Sequence, residues 1–357
     1  MALRTLIIDD TIIWRKLVSD IAGEFADLEI AGTAPNGEIA LKKMEQNPVD
    51  LVFCDVHMPG LDGVETLKRI RDECPQTLVV MMSGISTRNA DVTIRALQMG
   101  AIDFIRKPDG RAPEENRERL RKDIASVLRL ARIKINTMGI DKRVSGKVQK
   151  SAALAGAVTK APVPRSFAIV AVGVSTGGPE ALSKLIPTLP ASLPVPVLLV
   201  QHMPPSFTRS LSESLDRKSA LTVVEAEEHM EVKKGTVYIA PGGRHMTVRE
   251  KDKKVVIGLN DSPPENSCRP SVDVLFRSVA NLYGNRGVLA AVLTGMGSDG
   301  AAGVRALKRK GCFCITQEEK SCVVYGMPRA VDEAGMSDLS IPIESIAEIM
   351  ARKTGSR

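Results

Sequence analysis

Aromatic residues are scarce in this chain: they make up 3% of 357 residues and include a single tryptophan, Trp14. Proteins that hold single-stranded nucleic acid by stacking need exposed rings, so no nucleic-acid partner is expected despite a net charge of +7. Histidine is limited to four residues, and the six cysteines form no C-x-x-C pair, so no zinc-ligand pattern is legible. Scattered cysteines of this kind read as reduced thiols in a cytoplasmic protein. No apolar run is long enough to span a membrane, and "MALRTLIIDD" meets two aspartates too early for a signal peptide, so no membrane insertion is expected. A G-x-x-x-x-G-K-[ST] motif is also missing, which excludes a P-loop nucleotidase.

What is present is an alternation of short apolar runs with amphipathic segments, long enough for two α/β domains. In the first part "LRTLIID", "LEIAGTA", "VDLVFCD", "TLVVMMSG" and "AIDFIRK" read as strands. Helical patterns separate them, the first with Ile13, Leu17 and Ile21 on one face. Strict alternation implies a parallel, doubly wound sheet over residues 1–128. The pattern then fails. Residues 129–165, with "DKRVSGKVQKSAALAGAVTKAPVPR", read as a basic, solvated linker. A second α/β region follows over 166–352, where "FAIVAVG", "VPVLLVQ", "VLAAVLT" and "CFCITQ" read as buried strands. "GTVYIAPG" and "KKVVIGLN", flanking "GGRHMTVREKD", read as a peripheral hairpin.

In a parallel sheet the strand ends converge on one edge. Asp9 and Asp10 close the first strand, Asp55 the third, Ser83 the fourth and Lys107 the fifth. Carboxylates brought together there repel one another unless a cation intervenes, and oxygen ligands of this kind suit Mg²⁺ beside a phosphoryl group. Lys107 and the Ser83 hydroxyl would then hold phosphoryl oxygens. Helix capping explains any one of these residues but not the set.

In the second region "GVSTG" fits a nucleophile elbow between strand and helix and offers Ser175. A serine nucleophile needs a base, and the base needs an orienting group. His57 lies in the first region, His229 in a polar run and His245 in the hairpin turn; His202 directly follows an apolar strand. Asp299 lies in the loop after "VLAAVL", so three strand ends would deliver Ser175, His202 and Asp299 to one edge. The competing reading is nucleotide binding: "GMGSDG" is a literal G-x-G-x-x-G, with Glu318 and Glu319 at the distance of a ribose-binding acid. That reading leaves "GVSTGGP" unexplained.

These motifs carry two resemblances. "DD" after the first strand, "DVHMPGLDG", "MSG" and "FIRKP" resemble the two-component receiver domain, which has a flavodoxin-like fold. The resemblance implies that Asp55 accepts a phosphoryl group from a histidine kinase. It implies Mg²⁺ bound by Asp9, Asp10, Asp55 and the backbone carbonyl of His57, and a switch formed by Ser83, Phe104 and Lys107. "GVSTGGPEAL", "VLLVQHMPPSFTRSL", "RPSVDVLF", "LTGMGSDGAAG" and "SCVVYGMPRA" resemble the CheB family of chemotaxis methylesterases, with chain order Ser, His, Asp. That resemblance implies a cofactor-free serine hydrolase acting on glutamyl methyl esters of chemoreceptors, and on glutamines by the same route. Backbone N–H groups of Thr176 and Met296 are the expected oxyanion donors.

Overall fold

The computed structural model describes residues 2–84, 87–107, 113–140 and 161–356. The chain divides into two compact units, Met1–Ser145 and Gly146–Arg357.

The first unit alternates β1 (Leu3–Ile8), α1 (Ile12–Ala22), β2 (Leu28–Ala34), α2 (Gly37–Gln46) and β3 (Leu51–Asp55), then α3 (Gly63–Glu73), β4 (Leu78–Ser83), α4 (Thr87–Gln98), β5 (Asp103–Arg106) and α5 (Pro113–Ile140). The five strands form one parallel sheet in the order β2-β1-β3-β4-β5. Every residue of β3 and β4 is buried, as expected of strands covered on both faces. Side-chain caps start the helices between them: Asn36 accepts from the Ile39 amide at 3.0 Å, and Asp62 from Glu65 at 2.8 Å.

Two sequence expectations change here. On α1 the buried face is Val18, Ile21 and Ala22, whereas Ile13 is 76% exposed. The first turn of α1 lies beyond the end of the apolar contact, so the periodicity overreaches by one turn. Helix α5 continues through Ile140, past the boundary expected at 128, because "ASVLRLARI" still supplies buried positions such as Val127, Leu128 and Ala131. Residues 141–160 of the expected linker lie outside the described residues. Ala161 is already tied to the second unit, its amide donating to the Lys308 carbonyl at 3.1 Å.

The second unit begins with β6 (Ile169–Val174), α6 (Gly178–Leu185), β7 (Val197–Gln201), α7 (Phe207–Asp216), β8 (Thr222–Glu225) and β9 (Thr236–Ile239). An antiparallel pair follows, β10 (His245–Lys251) and β11 (Lys254–Asn260), and then α8 (Val272–Tyr283), β12 (Val288–Val292) and α9 (Ala301–Lys308). The unit ends with β13 (Phe313–Gln317), α10 (Met327–Glu333), β14 (Leu339–Ile341) and α11 (Ile343–Thr354). Seven strands form a parallel sheet in the order β14-β13-β12-β6-β7-β9-β8. Strands β6, β7 and β12 occupy its centre and are buried throughout.

The hairpin exists but not with the expected strands. Val237, Tyr238 and Ile239 are buried on both faces, so β9 joins the main sheet. The hairpin partner of β11 is β10, in which buried Met246 and Val248 alternate with more exposed residues. Its turn holds Asp252 and Lys253 at φ 51° and 62°, the twist of a two-residue hairpin loop, without the glycine that would have marked it in the sequence.

One close approach fixes the loop that carries the β3 strand end. A Cβ added at Gly63 would collide with the Asp55 carbonyl oxygen and lie 2.9 Å from the Asp55 carbonyl carbon. Both groups are backbone and cannot rotate away. Gly63→Ala is therefore expected to destabilise the first unit by about 3 kcal/mol, seen as an earlier thermal transition of that unit. An unchanged transition would show that the β3–α3 loop yields freely.

Candidate active site and acid pocket

At the C-terminal edge of the first sheet, carboxylate oxygens of Asp9, Asp10 and Asp55 lie within 4.8 Å of one another, a grouping able to hold a metal ion. Asp9 is fully buried, Asp55 nearly so, and Asp10 is exposed. Lys107 lies between the buried pair, its Nζ 2.6 Å from Asp9 Oδ2 and 2.7 Å from Asp55 Oδ2. The β1–α1 turn is clamped by Arg15, whose Nη1 donates to the carbonyls of Asp9 and Asp10 at 2.6 and 3.0 Å. Burial holds the Asp55 carboxyl above its ordinary value; Lys107 opposes this and the other two aspartates reinforce it. Asp9 Oδ2, though buried and ion-paired, accepts no aligned hydrogen bond. A buried carboxylate oxygen short of donors, beside two further carboxylates, fits a hard divalent cation.

The other residues singled out in the sequence surround this pocket. Ser83 is buried and accepts from Thr93 Oγ1 at 2.8 Å. Phe104, on the neighbouring strand β5, is half-buried. The His57 ring does not turn into the pocket's ion pairs but meets Asn89 Oδ1 at 2.7 Å. The Trp14 ring lies over Lys107, with Nζ 5.7 Å from its centroid.

In the second unit the register places Val174 beside Gln201, so Ser175 and His202 follow at the ends of adjacent strands β6 and β7. The buried Gln201 side chain ties the two ends together: its Nε2 donates to the Ser175 carbonyl at 2.9 Å and the His202 carbonyl at 3.1 Å. On the other side of β6, the Ser175 amide donates to the Thr294 carbonyl at 3.0 Å. A Cβ on Gly295 would lie 2.7 Å from Ser175 Cβ, so glycine is what lets the β12–α9 loop close over the serine.

His202 Nε2 bonds Asp299 Oδ2 at 2.8 Å. Asp299 is buried and also accepts from Asn266 Nδ2, Ser271 Oγ and the amides of Val272, Asp273 and Gly300, at 2.7–3.1 Å. Burial raises its carboxyl, but these donors, His202 foremost, hold it well below the usual carboxylate range. Burial lowers the His202 imidazole, and its bonds to Asp299 and Cys268 outweigh that, leaving it raised to about 9. The second ring nitrogen, Nδ1, faces Cys268 Sγ at 3.5 Å. Ser175 Oγ forms no hydrogen bond with His202. Thus Ser175, His202 and Asp299 share one edge, with the His–Asp contact made and the Ser–His contact open. The Thr176 and Met296 amides donate to no acceptor among the described residues.

Three residues on this edge escaped the sequence reading. Gln201 had a signal, a polar residue ending the fully buried run VLLVQ. Asn266 and Cys268, in the loop between β11 and α8, had none, because an irregular loop has no periodicity to read. His245 is not in a turn: it begins β10, is buried, and its Nδ1 accepts from the Ser271 amide at 3.2 Å. The G-x-G-x-x-G loop is unsuited to a pyrophosphate. The Gly300 amide is taken by Asp299, and the Gly303 amide by Asp273 Oδ1 at 2.6 Å, so two carboxylates already occupy the start of α9.

An acid pocket on one α/β unit and a Ser, His, Asp edge on the other are thus both assembled at strand ends. The sequence matches the CheB methylesterase family over residues 170–350 and the response regulator receiver domain over residues 5–120. It is 44% identical to a protein-glutamate methylesterase/protein-glutamine glutaminase 2 of Methanosarcina acetivorans, across 99% of this chain and 100% of that one. A protein-glutamate methylesterase/protein-glutamine glutaminase of Desulfotalea psychrophila is 40% identical, across 97% of each. The crystal structure of the Thermotoga maritima CheB methylesterase catalytic domain superposes with a TM-score of 0.51 at 44% identity, covering 52% of this chain and 98% of that one. The chain belongs to the CheB methylesterase family and carries a receiver domain. Among the described residues no helix is long and apolar enough to cross a membrane.

Two measurements test the electrostatics. His202 is expected to titrate by NMR above the ordinary imidazole value, near 9, and to fall toward it in Asp299→Asn; an unshifted His202 in the unmodified chain would refute the pairing. Trp14 fluorescence is expected to change on adding Mg²⁺ or beryllofluoride, since either perturbs the Lys107 ammonium beneath the ring. A flat signal while beryllofluoride binds by another measure would exclude that coupling.

Proposed function

We propose that the chain is a phosphorylation-controlled serine esterase of the cytoplasm, which hydrolyses glutamate methyl esters on chemoreceptors and deamidates receptor glutamines. The observation that carries this reading is the His202–Asp299 pair standing at the strand end next to Ser175. The named activity of relatives matching nearly the whole chain supports the substrate class.

Once His202 gives up its second proton, which its raised value places toward pH 9, Asp299 accepts the remaining Nε2 proton and the lone pair lies on Nδ1. Rotation of the Ser175 side chain would then bring Oγ to Nδ1; such contacts often close only with substrate bound. Oγ attacks the ester carbonyl carbon while Nδ1 takes its proton, and Asp299 stabilises the imidazolium. The carbonyl oxygen gains negative charge opposite the Thr176 and Met296 amides, which have no competing acceptor among the described residues. Nδ1–H protonates departing methoxide, giving methanol. Water attacks the glutamyl-serine by the reverse transfers and releases glutamate. With a glutamine side chain the leaving group is ammonia.

In the receiver, Asp55 would accept the phosphoryl group from a histidine kinase. Mg²⁺ held by Asp9, Asp10, Asp55 and the His57 carbonyl would supply positive charge against the phosphoryl oxygens. Lys107, now paired with Asp9 and Asp55, would turn to a phosphoryl oxygen, and Ser83 would offer its hydroxyl, with Phe104 following as the switch.

Methanol release from methylated receptors is expected to fall at least ~1,000-fold in Ser175→Ala and nearly as far in His202→Gln. His245→Gln, which only loosens the support of Ser271, should lose far less. Full activity in Ser175→Ala would overturn the mechanism. Residues 161–357 alone should release methanol faster than the unphosphorylated full chain if the receiver restrains the site. A folded fragment that is no faster would leave phosphorylation acting only as an activator.

A further inference from the structure

We propose that the esterase edge holds a second metal site, in which Cys268 Sγ and His202 Nδ1 bind a borderline divalent cation of the zinc type and thereby switch off the serine. The donors of His202, Cys268 and Asp299 lie within 4.8 Å of one another. The Cys268–His202 contact has the dimensions such an ion requires. With Zn–S near ~2.3 Å and Zn–N near ~2.05 Å, a tetrahedral angle places sulfur and nitrogen about 3.6 Å apart. Cys268 Sγ and His202 Nδ1 are 3.5 Å apart. The separation matches two ligands of one ion, which would sit to the side of the Sγ–Nδ1 line after a small side-chain rotation.

The tautomer is also correct. In the neutral ring Asp299 holds the Nε2 proton, and Nδ1, beside the thiol, is the nitrogen left to bind metal. A carboxylate fixing the far nitrogen of a metal-binding imidazole is the usual outer-sphere support of zinc histidines. Asp299 itself is better suited to that role than to direct ligation, because six donors already occupy its oxygens. Its buried charge offsets part of the cation's. His202 and Cys268 are both only partly buried, so an ion has access.

The donor set separates this site from the acid pocket of the receiver. Three carboxylates suit Mg²⁺, whereas thiolate and imidazole discriminate against it and favour Zn²⁺ or Co²⁺. On binding, the Cys268 thiol and, where it is protonated, the His202 Nδ1 each give a proton to solvent; sulfur and nitrogen then each donate an electron pair to the ion, and water fills the remaining positions. The inhibitory consequence rests on the reading of His202 as the base: the lone pair that binds metal is the one that would take the Ser175 proton.

The test uses the full chain, stripped with a chelator and then supplied with excess Mg²⁺ to occupy the receiver. Co²⁺ should give a thiolate-to-cobalt charge-transfer band that saturates at one ion per chain. Among the cysteines only Cys74 and Cys268 are not buried. The band should vanish in Cys268→Ala and persist in Cys74→Ala. Zn²⁺ should inhibit ester hydrolysis, and the inhibitory concentration, measured against each variant's own metal-free rate, should rise more than ~100-fold in Cys268→Ala. That figure follows because loss of an outer-sphere partner alone costs ~10–100-fold. A band retained in Cys268→Ala, or none in the unmodified chain, overturns the site and makes the contact a plain S–H···N hydrogen bond. A band without inhibition upholds the site and overturns its effect on the serine. The cobalt arm needs no esterase activity, so failure of the esterase reading would show separately, as methanol release absent before any metal is added.

Discussion

A buried carboxylate is costly unless donors surround it, and the second unit is arranged around one, Asp299. Its six donors come from four separate places: the end of β7, the loop before α8, the first residues of α8 and the start of α9. Each segment is held by the same charge. The Val272 and Asp273 amides are free to point at it because they open a helix and lack intrahelical acceptors. Asp273 then repeats the device one layer further in, accepting from the Gly303 amide and from Asn266. Burial and the neighbouring Asp299 charge both push its carboxyl up. Removing Asp299 would therefore release a loop, two helix ends and the imidazole together.

How much of this could be read from the sequence depends on whether a residue's position follows from its strand. Strand ends in a parallel sheet converge by topology, so Asp9, Asp55, Lys107, Ser175 and His202 were legible once the strands were counted. Asp299 was legible as a residue in a strand-end loop, although its partners were not. Asn266 and Cys268 approach His202 and Asp299 through a loop whose course is set by the contacts themselves. Asn266 adopts φ 52°, a left-handed conformation that no pattern announces. The hairpin error has a related cause. Four-residue β9 is more apolar than seven-residue β10 and so reads as the hairpin strand, and only burial of β9 within the main sheet decides against it.

The Ser175–His202 gap follows from the same construction. Gln201 locks the two backbones through its carboxamide, so neither strand end is free to move. The imidazole is held from both sides by Asp299 and Cys268, whereas the Ser175 hydroxyl has no bond to it. Asp299 takes the Nε2 of His202, which leaves Nδ1 as the nitrogen turned toward Cys268. The histidine follows β7, immediately beside the serine strand, while the aspartate arrives by a long loop from the far side of β6.

The two units show how one topology yields opposite electrostatics at the same sheet edge. In the first, carboxylates are gathered with too few donors: Asp9 Oδ2 lacks an aligned hydrogen bond, Asp55 is pushed up by burial, and one lysine serves both. A cation admitted to such a pocket would offset the gathered negative charge. In the second, Asp299 is saturated with donors and fixes an imidazole. An unsatisfied site is responsive and a saturated site is rigid. The difference lies in how each unit supplies donors to its carboxylates, not in the parallel-sheet topology, which the two units share.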